Sequence, residues 1–123
     1  MRLADDFFNI VSCNGNESEL TCNIALNSAH FIYAAHFPGN PITPGVCIVQ
    51  IAQEILEKQF DCKLALTTLN NIKFMQVLSP LNVGDIQYKM AIATTEEKNI
   101  KIKATVSDSN NTYSKFTATY KQL

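Results

Sequence analysis

The chain of 123 residues contains no tryptophan, only four glycines, four prolines and two histidines, and charged residues make up just 17% of it. Each shortage excludes something. With 10 Lys and Arg against 11 Asp and Glu, the net charge of −1 gives no overall attraction to nucleic acid or to an anionic membrane surface. No apolar run approaches the about 18 residues of a membrane-spanning helix, and the acidic opening MRLADDFF is not a secretory leader. A cytoplasmic location is the expectation. No Gly-rich phosphate loop, Gly-x-Ser-x-Gly elbow or His-Glu-x-x-His helix occurs, so neither a metal nor any other cofactor is expected. Cys13, Cys22, Cys47 and Cys62 have neither CxxC nor Cys/His metal spacing and read as free thiols, mostly buried. Cys47 alone raises the alternative of an activated thiolate at a helix N-terminus, although a small apolar residue also suits that position. The sequons at Asn16 and Asn110 carry little meaning without a secretory route. Hydrophobic residues at 46% are enough for one core, so the expectation is a single domain over 1–123.

The few prolines and glycines are not scattered. Pro38, Pro41 and Pro44, with Gly39 and Gly45, fall inside the stretch His36 to Glu54, HFPGNPITPGVCIVQIAQE. Proline fixes φ and glycine opens backbone shapes closed to other residues, so this loop is held in one path. It carries a histidine to the mouth of the chain's one convincing helix. Thr43 is the expected N-cap, with Pro44 in the first turn. Along that helix Ile48, Val49, Ile51, Ala52, Ile55, Leu56 and Phe60 occupy more than half the circumference, leaving a narrow polar arc of Gln50, Gln53, Glu54, Glu57 and Lys58. Such a helix has to be wrapped on most sides, by its own sheet and by a partner subunit.

The remainder reads as strands. Asp6 to Cys13 is rich in aromatic and β-branched residues and runs into an Asn-Gly-Asn-Glu turn. Glu19 to Asn27 alternates with Leu20, Cys22, Ile24 and Leu26 on one side. Leu66 to Leu78, Asp85 to Thr94, Ile100 to Val106 and a strand patterned by Ser114, Phe116, Ala118 and Tyr120 complete a β-β-α-β-β-β-β order. One long helix against one curled antiparallel sheet is the economical α+β solution.

The run HFPGNPITPGV resembles the HFPGxPxxPGV signature of the hot-dog-fold 3-hydroxyacyl-(acyl carrier protein) dehydratases of fatty-acid synthesis. Pro80 to Asp85 (PLNVGD) resembles that family's later P-x-x-P-G-D step, with Val83 in place of its second proline. The resemblance implies a hot-dog fold, in which an antiparallel sheet wraps a central helix, and a homodimer with two active sites shared across the interface. It implies dehydration of a 3-hydroxyacyl thioester, carried by acyl carrier protein or coenzyme A, to a trans-2-enoyl thioester. His36 would be the base taking the α-proton. Gly45, with Val46 beside it, would offer backbone N–H to the thioester carbonyl. Both roles make physical sense. The first N–H groups of a helix lack partners and carry positive partial charge, and imidazole is the side chain suited to moving protons near neutral pH.

The departure is in the helix. Where the family has its second catalytic group, a carboxylate, this chain has Gln50, and where the family usually has glutamine one turn later it has Glu54. An amide neither gains nor loses a proton near neutrality. Three readings stay open: Glu54 supplies the acid from one turn away; Gln50 only orients substrate while His36 handles both proton transfers; or dehydration is lost and the fold serves as an acyl thioesterase, an acyl-binding protein or the partner of a related subunit in a heterodimer. For Glu54 the plain alternative is a solvated or interface residue, for His36 a loop histidine bonded to backbone. His30 and Phe37 are expected to be structural, Phe37 as a core anchor for the loop. Phe74, Met75 and Leu78 are first of all core and secondly candidates to line an acyl tunnel. Lys58, Lys63, Lys73, Lys101 and Lys103 are candidates for docking an acidic carrier, and individually more ordinary as solubilising charges.

Overall fold

The computed structural model describes residues 1–81 and 83–123. The elements run β1 (Phe8–Gly15), β2 (Glu19–Leu26), α1 (Phe31–Ala35), α2 (Gly45–Gln59), β3 (Leu64–Phe74), β4 (Ile86–Thr94), β5 (Ile100–Ser107) and β6 (Thr112–Gln122). The strands form one antiparallel sheet in the order β1-β2-β4-β5-β6-β3. This is the hot-dog architecture: an α+β fold with the sheet curled around one long helix.

Alternation decides the inward face of each strand. Ile86, Tyr88, Met90 and Ile92 of β4, Ile102, Ala104 and Val106 of β5, and Phe116, Ala118 and Tyr120 of β6 are buried, while Lys89, Lys101, Lys103 and Lys115 stand outside. They share one core with Ile51, Ala52, Ile55 and Leu56 of α2, all fully buried. Truncating a residue such as Leu56 to alanine would cost about 2–5 kcal/mol. The Tyr88 hydroxyl crosses that core to donate to the Ile48 carbonyl at 2.7 Å. Burial pushes its pKa far up, so it remains a neutral donor.

The polar arc of α2 is not a solvated stripe. Gln53 Nε2 donates to the Leu64 carbonyl at 3.0 Å, and Glu57 Oε2 accepts the Leu64 N–H at 3.0 Å. Together they seat the start of β3. Glu54 does the same for the N-terminal segment, as described below. Backbone groups of two chain segments thus satisfy a helix face that the sequence marks only as polar.

Several expectations need correction. Phe31–Ala35 is a short helix, α1, which His30 caps by accepting the Ile32 N–H on Nδ1 at 3.1 Å. With Nδ1 an acceptor, Nε2 carries the proton and faces Asp6 Oδ2 at 3.1 Å. His30 is buried and structural, as expected, and lies at the start of this helix. The N-cap of α2 is Pro44, with no side-chain cap. Thr43 is instead buried and pairs its hydroxyl with that of Tyr33 at 2.9 Å. Cys13 and Cys22 are not free thiols but a disulfide linking directly opposed residues of β1 and β2, 4.1 Å apart at Cα. The hairpin register brings them together. Cys47 and Cys62 are free. Phe37 is 52% exposed, so it does not anchor the loop in the core. Among the described residues, no helix is long and apolar enough to cross a membrane.

Candidate functional site

His36 terminates α1. Its backbone N–H donates to the Ile32 carbonyl at 2.9 Å, and its own carbonyl accepts the Ile42 N–H at 2.7 Å. Between these anchors Phe37 and Asn40 exchange backbone hydrogen bonds at 3.1 and 2.8 Å, with Gly39 at φ +75° supplying the turn. The imidazole is exposed and makes no hydrogen bond among the described residues. The loop is pinned again at Thr43, whose N–H donates to the Leu78 carbonyl at 2.8 Å. The Tyr33 hydroxyl that meets Thr43 has its pKa pushed up to about 12 by burial, and so holds its proton there. Proline spacing and backbone bonds together fix where His36 sits relative to the start of α2.

At that start the helix leaves donors open. Pro44 provides no side-chain cap, and its carbonyl accepts only from Cys47 and Ile48, at 3.0 and 3.1 Å. The N–H groups of Gly45 and Val46 have no acceptor among the described residues. Val46 is 66% exposed. Beside Gly45 the end of β3 turns back, leaving a cleft of about 290 Å³ that Ile42, Gly45, Ile48, Phe74 and Val77 help to line. Phe74 and Met75 are exposed and Leu78 is buried, so only the last behaves as simple core. The Cys47 thiol is buried and its pKa is pushed up by that burial, the opposite of an activated thiolate.

One turn further on, Gln50 and Glu54 are brought together. Gln50 Nε2 donates to Glu54 Oε2 at 3.0 Å and to the Met1 carbonyl at 2.9 Å. Glu54 is 5% exposed. Its carboxylate also accepts the Leu3 N–H on both oxygens, at 3.0 and 2.9 Å, and the Ala4 N–H at 2.7 Å. Gln50 and Glu54 line a groove of about 800 Å³ between α2 and the N-terminal segment. His36 hydrogen-bonds neither of them within one chain. Sequence reasoning missed Met1 to Ala4 as part of this region. Its sole signal was Leu3, an isolated apolar residue that proves to be buried.

Comparison with known proteins places the chain. Residues 12–117 match the family model described as ApeI-like, ApeI dehydratase. A 3-hydroxyacyl-(acyl carrier protein) dehydratase from Rickettsia africae is 31% identical over 110 residues, 80% of this chain and 72% of that protein. Its counterpart from Ehrlichia canis is 48% identical over 42 residues, which span 33% of this chain and only 27% of the relative. The match to the Pediococcus pentosaceus dehydratase spans 54% of that protein, at 34% identity. Among solved structures, the dehydratase heterocomplex ApeI:P from Xenorhabdus doucetiae superposes with a TM-score of 0.66 at 16% identity, covering 90% of this chain and 95% of that one. A Staphylococcus aureus thioesterase variant reaches 0.65 at 6% identity, covering 94% and 93%. At such identities the superpositions speak for the hot-dog fold alone, whereas the family model covers most of the chain. The chain belongs to the ApeI-like dehydratase family.

Proposed function

We propose that this protein dehydrates a 3-hydroxyacyl thioester to the trans-2-enoyl thioester, with His36 as the single proton-transfer group. The observation that carries the reading is an exposed imidazole and the open N–H groups of Gly45 and Val46 at the two ends of one proline-stiffened loop anchored by backbone bonds. The thioester carbonyl would accept from those N–H groups, which stabilises the enolate charge that develops when a C2 proton leaves. His36 takes that proton as the C2–H bond breaks. The C2–C3 double bond forms, the C3–O bond breaks, and the departing oxygen takes the proton back from the imidazolium to leave as water. Gln50, unable to exchange protons, would hold the 3-hydroxyl in position. The apolar cleft beside Gly45 would take part of the acyl chain.

A homodimer completes this reading. β3 is an edge strand carrying exposed Leu66, Ile72 and Phe74, and Val46 is exposed on α2. An apolar edge of this kind is suited to antiparallel pairing with a second copy.

The test is to incubate the purified protein with a 3-hydroxyacyl thioester, and separately with the matching 2-enoyl thioester, and to follow both by mass. Loss or gain of water that disappears in His36→Ala supports the reading. No interconversion by a folded dimer would overturn it. Gln50 in place of the family's carboxylate favours a second reading, an acyl-binding or thioesterase protein, or one subunit of a heterodimer whose partner supplies the acid. Release of free thiol without change at C3 would mark the thioesterase. Water loss appearing only after a related subunit is added would mark the heterodimer.

A further inference from the structure

The Glu54 carboxylate is buried without a cation. Among the described residues the one ion-pair geometry is that between His30 and Asp6. A buried carboxylate is costly unless its lone pairs are satisfied, and here the satisfying groups are the backbone N–H of Leu3 and Ala4 and the Gln50 amide. This has a consequence for Gln50. Both partners of its Nε2, the Glu54 carboxylate and the Met1 carbonyl, are acceptors only. Turning the amide over would set its oxygen against a carboxylate oxygen at about hydrogen-bond distance, losing two bonds and adding a repulsion. The amide is therefore locked with its nitrogen towards the N-terminal segment. Its Oε1 has no partner among the described residues.

We infer that Glu54, clamped by the N-terminal segment, is a positioning residue that presents Gln50 to the ligand as a hydrogen-bond acceptor and so selects an acyl chain with a donor at C3. A 3-hydroxyl satisfies Oε1; a 3-oxo group, itself an acceptor, opposes it. The inference rests on the acyl-thioester reading above but not on turnover. It also gives the exchanged order of amide and acid a physical sense. In Glu54→Gln the new amide can still accept from Leu3 and Ala4 through an oxygen in the Oε1 position, but its nitrogen, in the Oε2 position, then faces two donors, the Leu3 N–H and the Gln50 amide. Gln50 is then drawn nitrogen-inward by the Met1 carbonyl but opposed there by the new NH₂, so its Oε1 is no longer fixed towards the ligand.

The experiment uses His36→Ala protein, so that ligand is bound and not converted, and compares dissociation constants for 3-hydroxyacyl- and 3-oxoacyl-pantetheine of equal chain length. With Glu54 in place the hydroxy ligand should bind about tenfold more tightly, the scale of one satisfied against one opposed hydrogen bond. With Glu54→Gln added, the preference should shrink towards none, while hydrogen exchange at the Leu3 and Ala4 amides stays slow. A merely structural Glu54 would leave the ligand ratio unmoved, and that result, with both amides still protected, overturns the inference. Failure to bind either thioester overturns the acyl-thioester reading itself. Binding of both without preference in the parent sinks only the role assigned to Glu54.

Discussion

A Cβ placed on Gly45 would stand 2.7 Å from Cζ of Phe74, so the first residue of α2 is in contact with the last residue of β3. Both residues line the apolar cleft, and the ring lies beside Gly45, whose N–H is open. Phe74 is 55% exposed, and the crowded atom is the far end of its side chain, so the ring can swing away at little cost to the fold. Gly45→Ala should therefore unfold within a few degrees of the parent. It should nonetheless lose about 10²-fold in kcat/KM for dehydration, the penalty of a roughly 1 Å misplacement at a reacting group. Steady-state kinetics beside a thermal melt separate the two effects. An unchanged kcat/KM would remove the start of α2 from the site.

His36→Ala offers the cleaner separation of function from stability. The ring is exposed and hydrogen-bonded to nothing among the described residues, and the loop is held by backbone bonds that alanine keeps. Stability should stay within about 0.5 kcal/mol. Dehydration and the reverse hydration should each fall by about 10²–10⁴-fold, as for a lost general acid–base group. Full activity in both directions would take His36 out of the mechanism.

Such predictions depend on what each kind of sequence signal can carry. Strand alternation in Ile86 to Thr94 and Ile100 to Val106 reads directly as one buried face, because side chains alternate across a sheet. The HFPGNPITPGV run was equally legible, since proline and glycine act locally. The five residues of α1 are too few to display a helical period. The role of Glu54 was invisible for a different reason: its partners Leu3 and Ala4 act through backbone N–H groups, which every non-proline residue has. The disulfide lay between. Once the turn after Cys13 is centred near Glu17, Cys13 and Cys22 fall opposite each other, but metal and redox spacings were the wrong patterns to search for.

That disulfide closes a short hairpin loop, which in the chain-entropy account is worth about 2–3 kcal/mol. Chemical unfolding with and without reductant should show that loss in the parent, and Cys13→Ser should match the reduced form. Equal midpoints with and without reductant, together with labelling of all four cysteines in unfolded, unreduced protein, would show that the pair is not bonded.

Exposed Leu66 and Ile72 on the β3 edge make the proposed homodimer testable without any substrate. Leu66→Lys with Ile72→Lys should shift the protein from dimer to monomer in sedimentation at micromolar concentration, because two charges would have to be buried against a second copy. A dimer that survives the double change uses a different face.

A final prediction concerns the turn between β5 and β6, where the Tyr113 hydroxyl donates to Asp108 Oδ2 and the N–H groups of Asn110 and Asn111 donate to Oδ1. The Tyr113 bond first, and then the two backbone bonds, hold the Asp108 carboxyl below the usual carboxylate range. A carboxyl whose pKa is lowered on folding stabilises the fold at pH values above its unfolded pKa of about 3.9, and that contribution disappears as pH falls through the lower folded value. Tyr113→Phe removes the largest cause. It should cost about 1 kcal/mol at pH 7, below the about 1.5–3 kcal/mol usual for a charge-assisted bond, because solvent screens Asp108. The gap between parent and variant should narrow steadily below about pH 4, as the carboxyl protonates and the bond loses its charge. The Tyr113 hydroxyl, its pKa raised by burial first and by Asp108 second, keeps its proton across neutral pH and adds no second transition there. Urea unfolding of both proteins at pH 7 and pH 3 measures the difference. A gap that persists undiminished in acid would mean that Tyr113 contributes through packing and not through Asp108.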